Sequence, residues 1–148
     1  MHLTIYRHTK ALAVVHTHSP FATAVSTVLD ELPPVHYALA GLGGPIRVAP
    51  YATFGSGDLA RNMIAALEGR SAALLQNHGT IAYGRDLAQA YLRAQTLEWV
   101  AEVYWRAKTL GEPRILPVEE LERVRELAGA QKGFRRDELA PAAAGDGR

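Results

Sequence analysis

The sequence predicts a mixed α/β domain, and three observations carry that prediction. Short apolar segments of strand length occur at residues 13–18, 46–48, 72–76 and 80–83. Stretches with helical periodicity alternate with them, the longest over residues 86–110. Glycine and proline punctuate the two kinds, as at Ser19-Pro20, Pro33-Pro34 and Gly43-Gly44-Pro45. At 148 residues, 48% hydrophobic and 21% charged, the chain is large enough to bury a core and has an ordinary globular composition. Residues 1–139 read as one domain and residues 140–148 as a disordered tail of Ala, Gly, Pro and charge.

Residues 1–8 read as part of a helix, with Leu3 and Tyr6 three apart and no lead-in cap. Ala13 to His18 form a strand after a turn at Thr9-Lys10. Ser19 suits a helix N-cap and Pro20 the first helical position. That helix carries an apolar stripe of Phe21, Ala24, Val25 and Val28, and Leu32-Pro33-Pro34 stop it. A short apolar segment, residues 35–39, leads into the flexible residues 41–45, and Ile46 to Val48 make a short strand. Residues 49–57 read as loop, and a helix spans 58–68 with Leu59, Met63, Ala66 and Leu67 inward and Gly69 as C-cap. Ala72 to Gln76 and Thr80 to Tyr83 are strands joined tightly through His78-Gly79. The helix at 86–110 presents Leu87, Ala90, Tyr91, Ala94, Leu97, Val100, Ala101, Tyr104 and Trp105, and a shorter one follows at 118–128.

Composition excludes several classes. A net charge of +1 gives no electrostatic case for nucleic acid or an anionic membrane. No run reaches the length of a membrane span, and the N-terminus lacks a signal-peptide core, so a cytoplasmic location is expected. Without cysteine, disulfides and thiolate chemistry are excluded, and any zinc site must use histidine, carboxylate and water.

The chemistry concentrates in Val14-Val15-His16-Thr17-His18. Side chains alternate along a strand, so His16 and His18 face one way and Thr17 the other. Two such imidazoles can share a divalent ion, although paired histidines also occur without one. His78 ends a second apolar strand far downstream and, taken alone, is better explained by a structural hydrogen bond. Joined, His16, His18 and His78 form a three-histidine set that suits zinc and leaves positions open for substrate. The ion's charge would stabilise an oxyanion. His2 and His8 read as surface or packing residues, His36 as structural, and Glu68 and Glu98 as solvated or helix-pairing charges.

The chain resembles the class II aldolase/adducin family, in particular its fuculose-phosphate aldolase branch and the sugar-phosphate relatives of that branch. The matching pieces are Val14 to His18, His36-Tyr37, Gly43-Gly44, Ala49 to Gly55, and Leu74-Leu75-Gln76-Asn77-His78-Gly79, in order and over most of residues 1–110. The resemblance implies a three-layer α/β/α sandwich around a mostly antiparallel sheet, with His16, His18 and His78 as ligands of Zn2+ or another divalent metal. It implies that Tyr37 reaches the active site of an adjacent subunit and protonates the aldehyde oxygen, and that Phe54 lies near the aldehyde. Core packing is the competing reading for both aromatics. It further implies a cyclic homotetramer and a zinc-dependent lyase. That lyase would cleave a ketose 1-phosphate, such as L-fuculose 1-phosphate, to dihydroxyacetone phosphate and an aldehyde. Phe134 is a weaker candidate for a C-terminal active-site aromatic.

The departure from the family lies at the front. Family aldolases carry roughly 70 further residues ahead of the position matching Met1, including a phosphate pocket and a glutamate that is both fourth metal ligand and general base. The chain is therefore expected to be N-terminally truncated, with activity on its own in doubt. A sugar-phosphate epimerase or dehydratase of the same family is the alternative chemistry. A catalytically inactive adducin-like interaction module is the alternative class, and the three retained histidines argue against it.

Overall fold

The computed structural model describes residues 1–131, and the expected tail and Phe134 lie outside the described residues. In order, the elements are α1 (His2–His8), β1 (Ala13–Thr17), α2 (Pro20–Ser26), β2 (Glu31–Leu32), a 3-10 helix (Tyr37–Leu42), β3 (Ile46–Ala49), α3 (Gly57–Ala66), β4 (Ala72–Leu75), β5 (Gly79–Gly84), α4 (Leu87–Leu110) and α5 (Val118–Gln131). No helix of the described residues is long and apolar enough to cross a membrane.

The strands form one sheet in the order β1-β5-β4-β3-β2. Only β3 and β4, joined through α3, run parallel; the other three pairs are antiparallel. The two-residue period of the strands sorts side chains between two cores. Val15, Ile46, Ala72, Leu74 and Ala82 pack on one face with α2, the 3-10 helix, α4 and α5. Val14, Ala49, Ala73, Leu75, Ile81 and Tyr83 pack on the other with Ile5 of α1 and Met63 of α3. The result is the three-layer, mostly antiparallel α/β sandwich that the resemblance implied.

Three expectations need correction. The helix opened by Ser19-Pro20 ends at Ser26, and Glu31–Leu32 form β2 instead of its last turn. Its expected stripe fails accordingly: Ala22 and Val25 are buried, whereas Val28 is 75% exposed. In α4 the core face is Ala90, Ala94, Leu97, Val100 and Ala101, and Leu87, Tyr91 and Trp105 are exposed. The helix is wrapped by core on a narrower stripe than its apolar content suggested. Gly69 does not cap α3, which closes at Leu67; the guanidinium of Arg47 instead donates to the carbonyls of Ala66 and Glu68, matching cation to helix C-terminus.

Leu74 is fully buried at the centre of the sheet. Leu74→Ala should lower unfolding free energy by about 2–5 kcal/mol, read from the denaturant midpoint, because the cavity it leaves is walled by sheet and helices.

Candidate metal centre

The site lies where β1 and β5 run out of ladder. In their antiparallel register His16 faces Ile81 and Thr17 faces Thr80, so β1 ends beside the second residue of β5. His16 and His18 keep the parity of Val14 and project on the α1/α3 side. His78 arrives from the β4–β5 connection, a tight turn closed by the His78 N–H donating to the Leu75 carbonyl at 3.0 Å. Asn77 in that turn has φ 55°, a left-handed conformation that Asn tolerates better than most residues.

The three imidazoles converge. Ring centroids lie 4.8 Å apart for His16–His18, 4.9 Å for His16–His78 and 5.1 Å for His18–His78. One ligand nitrogen from each falls within 4.8 Å of the others. His16 Nε2 and His18 Nε2 are 3.0 Å apart. A tetrahedral zinc with bonds of about 2.0–2.1 Å sets its nitrogens about 3.3–3.4 Å apart, so small ring shifts reach that spacing. The donor set fits a borderline divalent ion, and among the described residues no carboxylate joins it.

Orientation of His16 is fixed from behind. Its Nδ1 lies 2.6 Å from the Thr80 carbonyl, and since a carbonyl has no proton, Nδ1–H must donate. Nε2 is then the lone-pair nitrogen turned toward His18 and His78, an outer-shell arrangement typical of metal-binding histidine. Burial lowers the His16 pKa, opposed by the Thr80 hydrogen bond and reinforced by His78 and His18. Burial likewise lowers that of His78, with His18 adding to it. Both shifts favour the neutral ring that a metal requires.

Other predicted residues are placed as follows. Phe54 is 81% exposed, with its ring edge-on to His78 at 6.3 Å. Its loop is pinned by the Gln76 side-chain carbonyl, which accepts the Tyr51 N–H at 2.8 Å. Tyr37 stands apart: it begins the 3-10 helix, 56% exposed, and its ring packs on His36, which in turn abuts Trp99. His36 is structural, accepting the Ala38 N–H. His8 donates to the Thr4 carbonyl within its own helix. His2 borders the triad, 6.5 Å from His16. A groove of about 600 Å³ at the opposite end of β5, lined by Lys10, Arg85 and Arg93 among others, holds none of the triad.

Sequence reasoning missed the supports of the site. Thr80, fully buried, hydrogen-bonds the Thr17 hydroxyl at 2.7 Å, and Thr17 in turn donates to Ser19 at 3.1 Å. The facing threonines follow from register, which requires the pairing of β1 with β5 to be known. Glu98 is not a solvated charge: its carboxylate accepts the backbone N–H groups of Phe21 and Ala22.

The sequence model described as the class II aldolase and adducin N-terminal domain matches residues 1–105. The chain belongs to the class II aldolase and adducin family. Among family members, it is 50% identical over 115 residues to a 5-methylthioribulose-1-phosphate/5-deoxyribulose-1-phosphate aldolase of Rhodospirillum rubrum, covering 77% of this chain and 52% of that one. It is 42% identical over 123 residues to a 5-deoxy-D-ribulose 1-phosphate aldolase of Bacillus thuringiensis, covering 82% and 58%. A solved L-fuculose 1-phosphate aldolase superposes with TM-score 0.82 at 39% identity, over 86% of this chain and 61% of that one. The chain spans about half the length of the curated relatives it matches.

Two outcomes are expected of this centre. Gly79 has φ 156°, and a Cβ there would come within 2.2 Å of the Thr17 carbonyl oxygen and 3.1 Å of the His18 ring. Gly79→Ala should therefore abolish zinc uptake with every ligand intact, as measured by elemental analysis against wild type. The lowered histidine values also set a pH dependence. The unfolded chain binds more protons than the fold as pH falls below the ordinary 6.5, so stability falls with it. Thermal melts of the metal-free chain should drop between pH 7 and 5, and less so for His16→Asn.

Proposed function

We propose that the chain is the metal-binding part of a zinc-dependent lyase acting on a ketose 1-phosphate. The observation that carries the proposal is the convergence of His16, His18 and His78, backed on one side by the Thr80 carbonyl. Family membership supports the reaction class, and the names of the relatives support a short sugar phosphate as substrate.

In the cleavage direction the C4 hydroxyl gives up its proton and the C3–C4 bond breaks. The electron pair passes to the C2 oxygen, and C3 then takes up a proton. The products are dihydroxyacetone phosphate and the aldehyde built on C4. A divalent ion held by the three histidines supplies Lewis-acid stabilisation of the oxygen charge. His16 and His78, kept neutral by burial, remain ligands instead of competing for protons. Phe54, exposed beside His78, offers an apolar wall to the aldehyde portion. Tyr37 is separated from the triad of its own chain and is exposed, which supports a role at the C4 oxygen in a neighbouring subunit. The working assembly is accordingly a homo-oligomer, with a tetramer as the form proposed. Among the described residues no carboxylate stands at the triad to handle the C3 proton. Turnover by residues 1–148 alone should for that reason be slow.

The test is release of dihydroxyacetone phosphate from 5-deoxyribulose 1-phosphate, methylthioribulose 1-phosphate and fuculose 1-phosphate, with and without chelator. At least one should be cleaved, only when zinc is present, and Tyr37→Phe should cut kcat by about 10²-fold at unchanged zinc content. No product from any of the three by zinc-loaded protein would favour a binding module over a lyase.

A further inference from the structure

α2 begins two residues after His18, and the usual means of starting it is not used. Ser19 occupies the N-cap position with extended φ and ψ, but its side chain makes no capping hydrogen bond. Its hydroxyl instead receives the Thr17 hydroxyl at 3.1 Å. The first turn of α2 nevertheless leaves no donor stranded. Pro20 has no N–H, and Thr23 N–H reaches the Ser19 carbonyl at 2.9 Å. The remaining two, Phe21 N–H and Ala22 N–H, go to the two oxygens of Glu98, at 3.0 Å and 2.8 Å. Glu98 belongs to the middle of α4, 76 and 77 residues away in sequence. A carboxylate spread across the N-terminal amides of a helix meets both their donors and the positive end of its dipole. The cap is supplied by another helix.

This matters because of what lies between the two anchors. On the strand side, β1 is held up to Thr17 by its pairing with Thr80. On the helix side, beyond the local contacts of Ser19, the first backbone groups anchored to another element are the two amides bound to Glu98. His18 sits in the span between them, exposed, and among the described residues its ring hydrogen-bonds only with His16. Of the three histidines it has the least support of its own: His16 is tied to the Thr80 carbonyl, and His78 is held in a closed turn. The direction of the His18 Cα–Cβ bond is therefore set by the backbone at its two ends.

We propose that Glu98 is a positioning residue for the metal centre, fixing the β1–α2 turn so that His18 completes the histidine triad. The inference rests on the reading of that triad as a metal site. Glu98 acts from the α4 side of the sheet, opposite the three histidines, and is not one of the groups that would hold the metal.

The experiment is zinc titration against a chromophoric chelator for wild type, Glu98→Ala, Glu98→Gln and Val100→Ala. Val100 is fully buried two residues along the same helix and reports a loss of stability without a change at the turn. Glu98→Ala should bind zinc about tenfold or more weakly. Amide exchange at Phe21 and Ala22 should accelerate in the same protein. Val100→Ala should keep wild-type affinity despite a comparable fall in melting temperature. Glu98→Gln preserves side-chain volume but turns an amide N–H₂ toward a backbone N–H, so affinity should drop several-fold. Should Glu98→Ala fail to fold, Glu98→Gln decides. Wild-type affinity in the Glu98 variants would overturn the positioning role and leave the metal reading standing. A wild type that takes up no zinc would overturn both.

Discussion

The close approach of β1 to the start of β5 is the constraint on which the site depends. The Thr17 carbonyl passes so near Gly79 that a single added carbon would collide with it. That approach, together with the Thr17–Thr80 hydroxyl pair and the His16–Thr80 hydrogen bond, holds the histidines of β1 against the histidine before Gly79. The rest of the β1–β5 ladder aligns the strands, but only the last pair, Thr17 with Thr80, fixes the depth at which His16 and His18 meet His78. A residue whose contribution is the lack of a side chain thus helps set the geometry of three candidate ligands.

The sheet divides labour between its faces at this point. On the α1/α3 face are the imidazoles, half-buried or exposed, with the pKa values of His16 and His78 held down by burial. On the α4 face are hydroxyls and a carboxylate: Thr17, Thr80, Ser19 and Glu98. Thr80 links the two, its backbone oxygen accepting from His16 while its side chain hydrogen-bonds Thr17. Because that residue is fully buried, its interactions are not diluted by water and hold their geometry. The support is polar, with Thr17, Ser19 and Glu98 bordering a cavity on the α4 side, and the candidate ligands project on the other face.

What could be read from the sequence was whatever is periodic or local. The parity of His16 and His18 follows from two-residue alternation, and the assignment of residues to the two cores follows from the same rule. The ends of α3 and α4 were legible within a residue or two, since Asp86 and Gly111 mark α4 directly. The short α2 was not, because Val28 continues a helical spacing that the fold does not use. Glu98 was illegible for a different reason. Its partners are backbone amides, which every residue has, so no side-chain pattern announces the contact. The separation of Tyr37 from the triad is likewise a matter of which layer its 3-10 helix joins, and apolar composition alone does not choose a layer.

The central claim is that residues from two strand ends form a single metal site. Zinc K-edge absorption fine structure of the metal-loaded protein tests it most directly, because it counts imidazole ligands. The geometry predicts three imidazole nitrogens at about 2.0–2.1 Å with the rest of the shell oxygen. A shell with one imidazole, or with oxygen alone, would contradict it.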